Sequence, residues 1–177
     1  MSRLGLPVVV KPQQGGSGLG VSPASDADQL RNAMVACFAY DERALIEAYV
    51  AGREIAVSVV DAGEGPQALP PVEVVTEGQY DFDARYNPGR SEYFAPARLS
   101  AEETALVQET ALSVHRTLGL GNVSRTDLIL DEQGTPWFID VNVVPGMTET
   151  SLLPLAAEAA GDLPGLYDAL VHHPLVR

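Results

Sequence analysis

The sequence predicts an α+β protein built on antiparallel sheets with helices. Three observations carry that expectation: short β-branched runs bounded by proline and glycine, two helix starts marked by capping residues, and strands and helices in irregular order. A chain of 177 residues fits one domain or two small lobes sharing a cleft, and 46% hydrophobic residues suffice for a buried core.

Leu6-Pro-Val-Val-Val-Lys11 reads as a buried strand entered through a proline. Gln13 to Gly20 (QQGGSGLG) is too rich in glycine for regular structure and is expected to be a flexible loop. Ser25 with Asp28 resembles a capping box opening a helix through about Ala39, and Cys37 within it is expected to be a small core residue. Ala44 to Val50 and Glu54 to Val60 read as strands joined at Ala51-Gly-Arg53, with another strand at about Val72 to Val75. Glu77 to Arg98 is long, aromatic and aperiodic, the pattern of a lid. Ser100 with Glu103 caps a second helix running to about Leu118, with Ala105, Leu112 and Val114 among its apolar positions. Arg125 to Leu130 and Trp137 to Val141 read as a hairpin turning at Asp131-Glu-Gln-Gly134, and a helix starts at about Leu152 after a broken loop.

The charge is lopsided: 24 acidic residues against 11 basic ones, a formal net of −13. Such a surface works against nucleic-acid binding, which draws on bulk attraction to phosphate. No apolar run reaches the roughly 18 residues of a membrane span, and the N-terminus lacks the shape of a signal peptide. One cysteine rules out an internal disulfide and fits a reducing cytoplasm. Lys11 is the sole lysine of the chain and lies beside the glycine loop.

Three clusters carry chemistry. Lys11 precedes Gly15-Gly16-Ser17-Gly18-Leu19-Gly20, where glycines let backbone N–H groups converge on an anion. The lysine comes before the glycines, so this is not a P-loop, and a plain structural turn remains the alternative. Arg125 and Asp127 share one face of their strand, and Asp140 and Asn142 share one face of theirs. If the strands pair, all four line one surface. The carboxylates and the amide then offer hard oxygens to Mg²⁺, and the arginine can stabilise charge on a transferring phosphoryl group. Leu128, Ile129, Phe138 and Ile139 are expected to bury the opposite face; the alternative is an exposed polar hairpin. Glu47 and Glu54 flank Tyr49-Val50, a pattern able to accept from an adenine amino group and a ribose hydroxyl, or simply a surface pair. His115, on the second helix, and His172 and His173, at the tail, are expected to be surface or partly buried residues without chemistry.

LGLPVVVKP, GGSGLGVS, LIEAYVAGREIAVSVV, LPPVEVV, YDFDARY and SRTDLILDEQGTPWFIDVNVVPGMTETSLLP together resemble the D-alanine–D-alanine ligase family of the ATP-grasp fold, from residue 4 almost to the C-terminus. The resemblance implies two small lobes around a nucleotide cleft: residues 1–50 as part of the central lobe and residues 51–177 as the C-terminal lobe. It implies that Lys11 holds the ATP α- and β-phosphates, while Gly16, Ser17 and Gly18 cover them. Glu47, Tyr49 and Val50 would hold adenine, and Glu54 the ribose. Asp127, Asp140 and Asn142 would bind two Mg²⁺ (or Mn²⁺) ions, and Arg125 would steady the acyl phosphate. Gly146, Ser151 and Leu152 would hold the second D-alanine. Arg85 and Tyr86 fall in the closing loop, with Tyr86 reaching toward Ser17. The expected partners are ATP and D-alanine in a cytoplasmic enzyme of peptidoglycan precursor synthesis, a homodimer being the family's common state, with no nucleic acid and no membrane.

The sequence departs from the family's pattern at Asp140, where glutamate is usual, and at Arg85, where lysine is usual. The N-terminal domain and the start of the central one precede this stretch in full members, so the chain alone is expected to be a poor catalyst. The alternatives are an ATP-grasp ligase for other amino or hydroxy acids, and a non-catalytic nucleotide-binding remnant.

Overall fold

The structure, a computed structural model, describes residues 4–76 and 91–172. They group into two compact units: residues up to 50, and residues 51–75 with 93–172, the strand ends Thr76, Ser91 and Glu92 being counted with the first. Among the described residues no helix is long and apolar enough to cross a membrane.

In the first unit, β1 (Val8–Pro12) lies between β2 (Ser22–Ala24) and β3 (Ala44–Ala48), antiparallel to both. Alternation sends Val8 and Val10 to one face, where α1 (Ala27–Cys37) seals them with Ala24, Leu30, Ala33 and Cys37. Each fully buried valine or leucine there contributes about 1.5–3 kcal/mol. Cys37 is a core residue as expected, and burial pushes its thiol pKa up, with Asp41 adding to the rise.

One strand of this unit was not expected, and three expected boundaries need correction. The glycine loop joins two strands, because β2 pairs with β1 before the helix begins. The helix is capped by Asp26, whose carboxylate accepts from the Asp28 and Gln29 amides, while the Gln29 side chain reaches back to the Ser25 amide. It ends at Cys37 rather than Ala39, and β3 ends at Ala48, so Tyr49 and Val50 lie beyond the strand.

The second unit is a sheet of order β7-β6-β4-β8-β9, with β5 also paired to β4. Its strands are β4 (Arg53–Val60), β5 (Gln67–Ala68), β6 (Val72–Thr76), β7 (Ser91–Phe94), β8 (Val123–Leu130) and β9 (Pro136–Asn142). One face carries Ile55, Val57, Val59, Leu128 and Leu130 against Val107 and Ala111 of α2 (Ala101–Thr117). On the other face, Val60 and Val123 pack with Leu153, Ala157 and Leu166 of α3 (Leu152–Ala159) and α4 (Leu163–His172). Gly52 introduces β4 where the chain runs against β8: a Cβ there would stand 2.8 Å from the Leu130 carbonyl carbon and from Ile129 Cγ2.

The capping box of Ser100 and Glu103 forms as expected, and Glu103 also pairs with Arg53. Other expectations fail. Ala105 is exposed, and the buried stripe of α2 is Val107, Ala111 and His115. His115 is therefore a core residue, 3% exposed, with Nδ1 2.8 Å from Ser124 Oγ. The helix expected from Leu152 is two helices, divided at Gly161. The proposed lid is not structureless throughout. Ser91–Phe94 is strand β7, and the Arg98 guanidinium donates to both Glu73 oxygens at 2.9 Å while lying 3.6 Å from the Phe94 ring centroid. Arg85 and Tyr86 lie outside the described residues.

Phe138 does not bury the opposite face of the hairpin; it is 49% exposed. The register shifts between Asp127 and Leu128, pairing Asp127 with Asp140 but Leu128 with Phe138. Ile139 is thus the extra residue of a bulge, and simple alternation cannot carry through it.

Candidate functional site

The first unit leaves one sheet face uncovered by α1, where Lys11 and Glu47 lie among Val9 and Leu45. Lys11 is opposite Leu45 and Val9 opposite Glu47, which makes Lys11 and Glu47 diagonal neighbours on the face away from α1. Their side chains form an ion pair, Lys11 Nζ to Glu47 Oε2, at 2.7 Å. The glycine loop closes the β1–β2 hairpin directly after Pro12. Ser17, Gly18 and Gly20 all have positive φ (56°, 73° and 73°), and the Leu19 and Val21 amides donate to the Gly16 and Gly18 carbonyls. Gly20 has no room for a side chain, since a Cβ would stand 2.8 Å from the Tyr40 ring and 2.9 Å from Pro12 Cγ. Beyond β3, the Tyr49 amide still donates to the Pro7 carbonyl at 3.1 Å, which extends the pairing by one residue and fixes the start of the Tyr49-Val50 segment.

Asp41 is a residue that sequence reasoning missed. Its carboxylate accepts from the Gln14 amide at 2.7 Å and the Arg43 amide at 3.0 Å, tying the entrance of the glycine loop to the start of β3. The Gln14 hydrogen bond is the largest cause holding its pKa below the ordinary carboxylate value. An Asp-Glu pair in the Tyr40-Asp-Glu-Arg43 turn was the only sequence signal.

The second unit gathers the other cluster on one sheet face. Cross-strand register pairs Glu54 with Ile129, Ala56 with Asp127 and Ser58 with Arg125, then Arg125 with Asn142 and Asp127 with Asp140. Period-two alternation therefore puts Glu54, Arg125, Asp127, Asp140 and Asn142 on the same side. Arg125 and Asp127 are each 7% exposed. They form a bidentate pair, Nε to Oδ1 at 2.7 Å and Nη2 to Oδ2 at 2.9 Å, the fork geometry that makes arginine–carboxylate contacts strong. Asn142 Nδ2 donates to Asp127 Oδ2 at 3.3 Å, and Asp140 Oδ1 accepts from the Val141 amide at 2.8 Å.

Asp127 and Asp140 are suited to a divalent cation. They are directly opposed across the strands, with Arg125 offsetting part of their like-charge repulsion from beside Asp127. Both are hard oxygen donors, as is the Asn142 carbonyl, and these match Mg²⁺ or Mn²⁺ rather than a soft metal.

The loop after β9 brings Gly146 and Ser151 together: a Cβ on Gly146 would stand 2.7 Å from Ser151 Oγ. That hydroxyl also accepts from the Thr148 amide at 3.1 Å and lies 2.8 Å from Thr148 Oγ1. Leu152 is buried at the start of α3. Thr148, unremarked in the sequence, is what fixes Ser151.

Comparison with known proteins places the chain beside one family, one sequence relative and two solved structures. The family described as "D-ala D-ala ligase C-terminus" matches residues 1–173. A D-alanine–D-alanine ligase of Methylacidiphilum infernorum (isolate V4) is 42% identical over 156 residues, 88% of this chain and 50% of the relative. Among solved structures, the VanG D-Ala:D-Ser ligase of Enterococcus faecalis superposes with TM-score 0.85 at 26% identity, over 97% of this chain and 50% of the other. The D-alanine–D-alanine ligase of Bacillus anthracis complexed with ATP gives 0.73 at 30% identity, over 95% of this chain and 50% of the other. The chain spans about half the length of the curated relatives it matches.

Proposed function

The chain belongs to the family of D-Ala–D-Ala ligase C-terminal domains, and from that premise we propose that it is the nucleotide- and metal-binding part of an ATP-dependent ligase joining two D-alanines. Residues 1–50 would be part of the central lobe and residues 51–177 the C-terminal lobe of an ATP-grasp enzyme. The observation that carries the reading is the shared face of Arg125, Asp127, Asp140 and Asn142, with the two carboxylates opposed.

In this account Lys11 binds the α- and β-phosphates, and Gly16, Ser17 and Gly18 close over them. Glu47 with the Tyr49-Val50 backbone reads adenine, and Glu54 takes a ribose hydroxyl. Asp127, Asp140 and Asn142 hold Mg²⁺ or Mn²⁺, which when bound neutralises phosphate charge and orients its oxygens. A carboxylate oxygen of the first D-alanine attacks the γ-phosphorus and ADP leaves. The amine of the second then attacks the acyl carbon; the acyl C–O bond breaks, phosphate leaves with its electrons, and the nitrogen gives up a proton. Arg125 stabilises the negative charge that develops on the acyl phosphate and the tetrahedral centre. Gly146, Ser151 and Leu152 orient the second D-alanine, and Arg85 with Tyr86 excludes water, which an acyl phosphate does not survive. Such an enzyme acts in peptidoglycan precursor synthesis, in the cytoplasm, as a homodimer in its complete form.

One observation favours a second reading: the VanG neighbour is named as a ligase of D-alanine with D-serine. The loop 143–151 would then select another amino or hydroxy acid in second place.

Titration of the chain with ATP at fixed Mg²⁺ tests the proposal. Saturable binding should weaken at least about tenfold, or 1.4 kcal/mol, in Asp127→Asn and in Asp140→Asn. Binding of unchanged strength in both variants, each still folded, would remove the metal site and with it the ligase reading.

A further inference from the structure

We propose that Glu47 acts on the phosphate end of the bound nucleotide through Lys11, as a positioning residue that holds the ammonium ready for the anion. The inference rests on the nucleotide reading above and adds to Glu47 a role besides its contact with the base.

The starting point is geometric. Lys11 and Glu47 are diagonal neighbours on adjacent strands, with Nζ and Oε2 2.7 Å apart. The opposite face of both strands is sealed by α1, so the pair sits on a rigid floor. Lysine is a point charge on a flexible four-carbon stem, and its use as a phosphate ligand loses affinity whenever that stem must be ordered on binding. A carboxylate at hydrogen-bond distance orders it beforehand. An ammonium has three donors, so it can serve the carboxylate and a phosphate oxygen together.

Both side chains are only partly buried, so folding gains modestly from the pair. They are 20% and 35% exposed, which leaves Nζ within reach of solvent and of an incoming anion. No second lysine exists in the chain to substitute for Lys11, the other ten basic residues being arginines.

The role makes a prediction opposite in sign to plain electrostatics. A carboxylate near a polyanion repels it, so neutralising Glu47 should strengthen binding if only its field mattered. If Glu47 orders Lys11, neutralising it should weaken binding, and should do so even for a ligand without a base.

The experiment compares wild type, Glu47→Gln and Glu47→Asp for binding of ATP and for displacement of ATP by inorganic tripolyphosphate. Thermal melts confirm that each variant is folded. Glu47→Asp keeps the charge but withdraws it by one methylene, so its effect cannot come from lost repulsion. Since Lys11 is the sole lysine, isotope-labelled lysine gives one side-chain signal that reports its mobility directly. The expected result is about fivefold or greater weakening of both ligands in both variants, with a sharper, more mobile Lys11 signal before ligand is added. Weakening of ATP alone, with tripolyphosphate unchanged or tighter, would overturn the inference and leave Glu47 a base contact. Tripolyphosphate that fails to displace ATP from wild type, or an unaltered Lys11 signal in the variants, would overturn it too. Wild type that binds neither ligand would remove the nucleotide reading itself, and this inference with it.

Discussion

Two buried polar contacts on β8 have opposite purposes. On one face Arg125 and Asp127 are paired within the strand, and on the other Ser124 meets His115 from α2. Asp127→Ala would leave a buried guanidinium without its carboxylate, and breaking such a pair costs about 3–5 kcal/mol; urea unfolding measures it. His115 works through its neutral form. Burial, the largest cause, holds its pKa below the ordinary 6.5, with Arg116 adding to the fall and Asp61 opposing it. Below pH 6.5 the unfolded chain takes up a proton that the folded one refuses. Stability should therefore fall as pH drops from 6.5 toward the folded pKa, with a slope of at most about 1.4 kcal/mol per pH unit from this residue. His115→Gln should flatten that part of the profile. The position of His115 was illegible in the sequence, because a histidine among alanines and leucines gives no sign of which helix face it occupies. Lys11 and Glu47 were each legible as candidates, yet their pairing was not, since register is what makes them neighbours.

At the scale of elements, the hairpin of β8 and β9 could be read in advance. Asp131 to Gly134 is strong turn chemistry, and the turn forms with the Gly134 amide on the Asp131 carbonyl at 3.0 Å. Period two then put Arg125 with Asp127 and Asp140 with Asn142, and the pairing brought the couples together. The bulge at Ile139 could not be read, because an inserted residue shifts alternation without any compositional mark. Strand β2 was hidden for another reason: three residues containing Pro23 have no periodicity to detect. The cap of α1 was misplaced by one because Ser25 and Asp26 are both good caps, and only hydrogen-bond geometry chooses between them. Two tests belong here. Ser100→Ala should cost about 0.5–2 kcal/mol through loss of the α2 cap. Gly52→Ala should destabilise the molecule in thermal melts, since its Cβ meets the β8 backbone, while Gly119→Ala, on the surface, meets nothing within 4 Å and should show only the strain of its φ of 59°.

For the whole molecule, the α+β class and the antiparallel sheets followed from composition and order, and the family from six motifs in sequence. What the motifs could not supply is the distribution of these residues over two sheets that the register shows. Lys11 and Glu47 occupy the face of a three-stranded sheet that α1 leaves uncovered, while Glu54, Arg125, Asp127, Asp140 and Asn142 occupy one face of a larger one. A surface of net charge −13 repels nucleotides at long range, so binding depends on these local groups and should strengthen as salt rises from low levels. The most direct measurement is a calorimetric titration of the chain with ATP and Mg²⁺ beside Lys11→Ala. Saturable heat in wild type that the folded variant loses is the predicted result. No heat from a folded wild type, or equal heat from both proteins, would contradict the assignment of the Lys11 face as a nucleotide site.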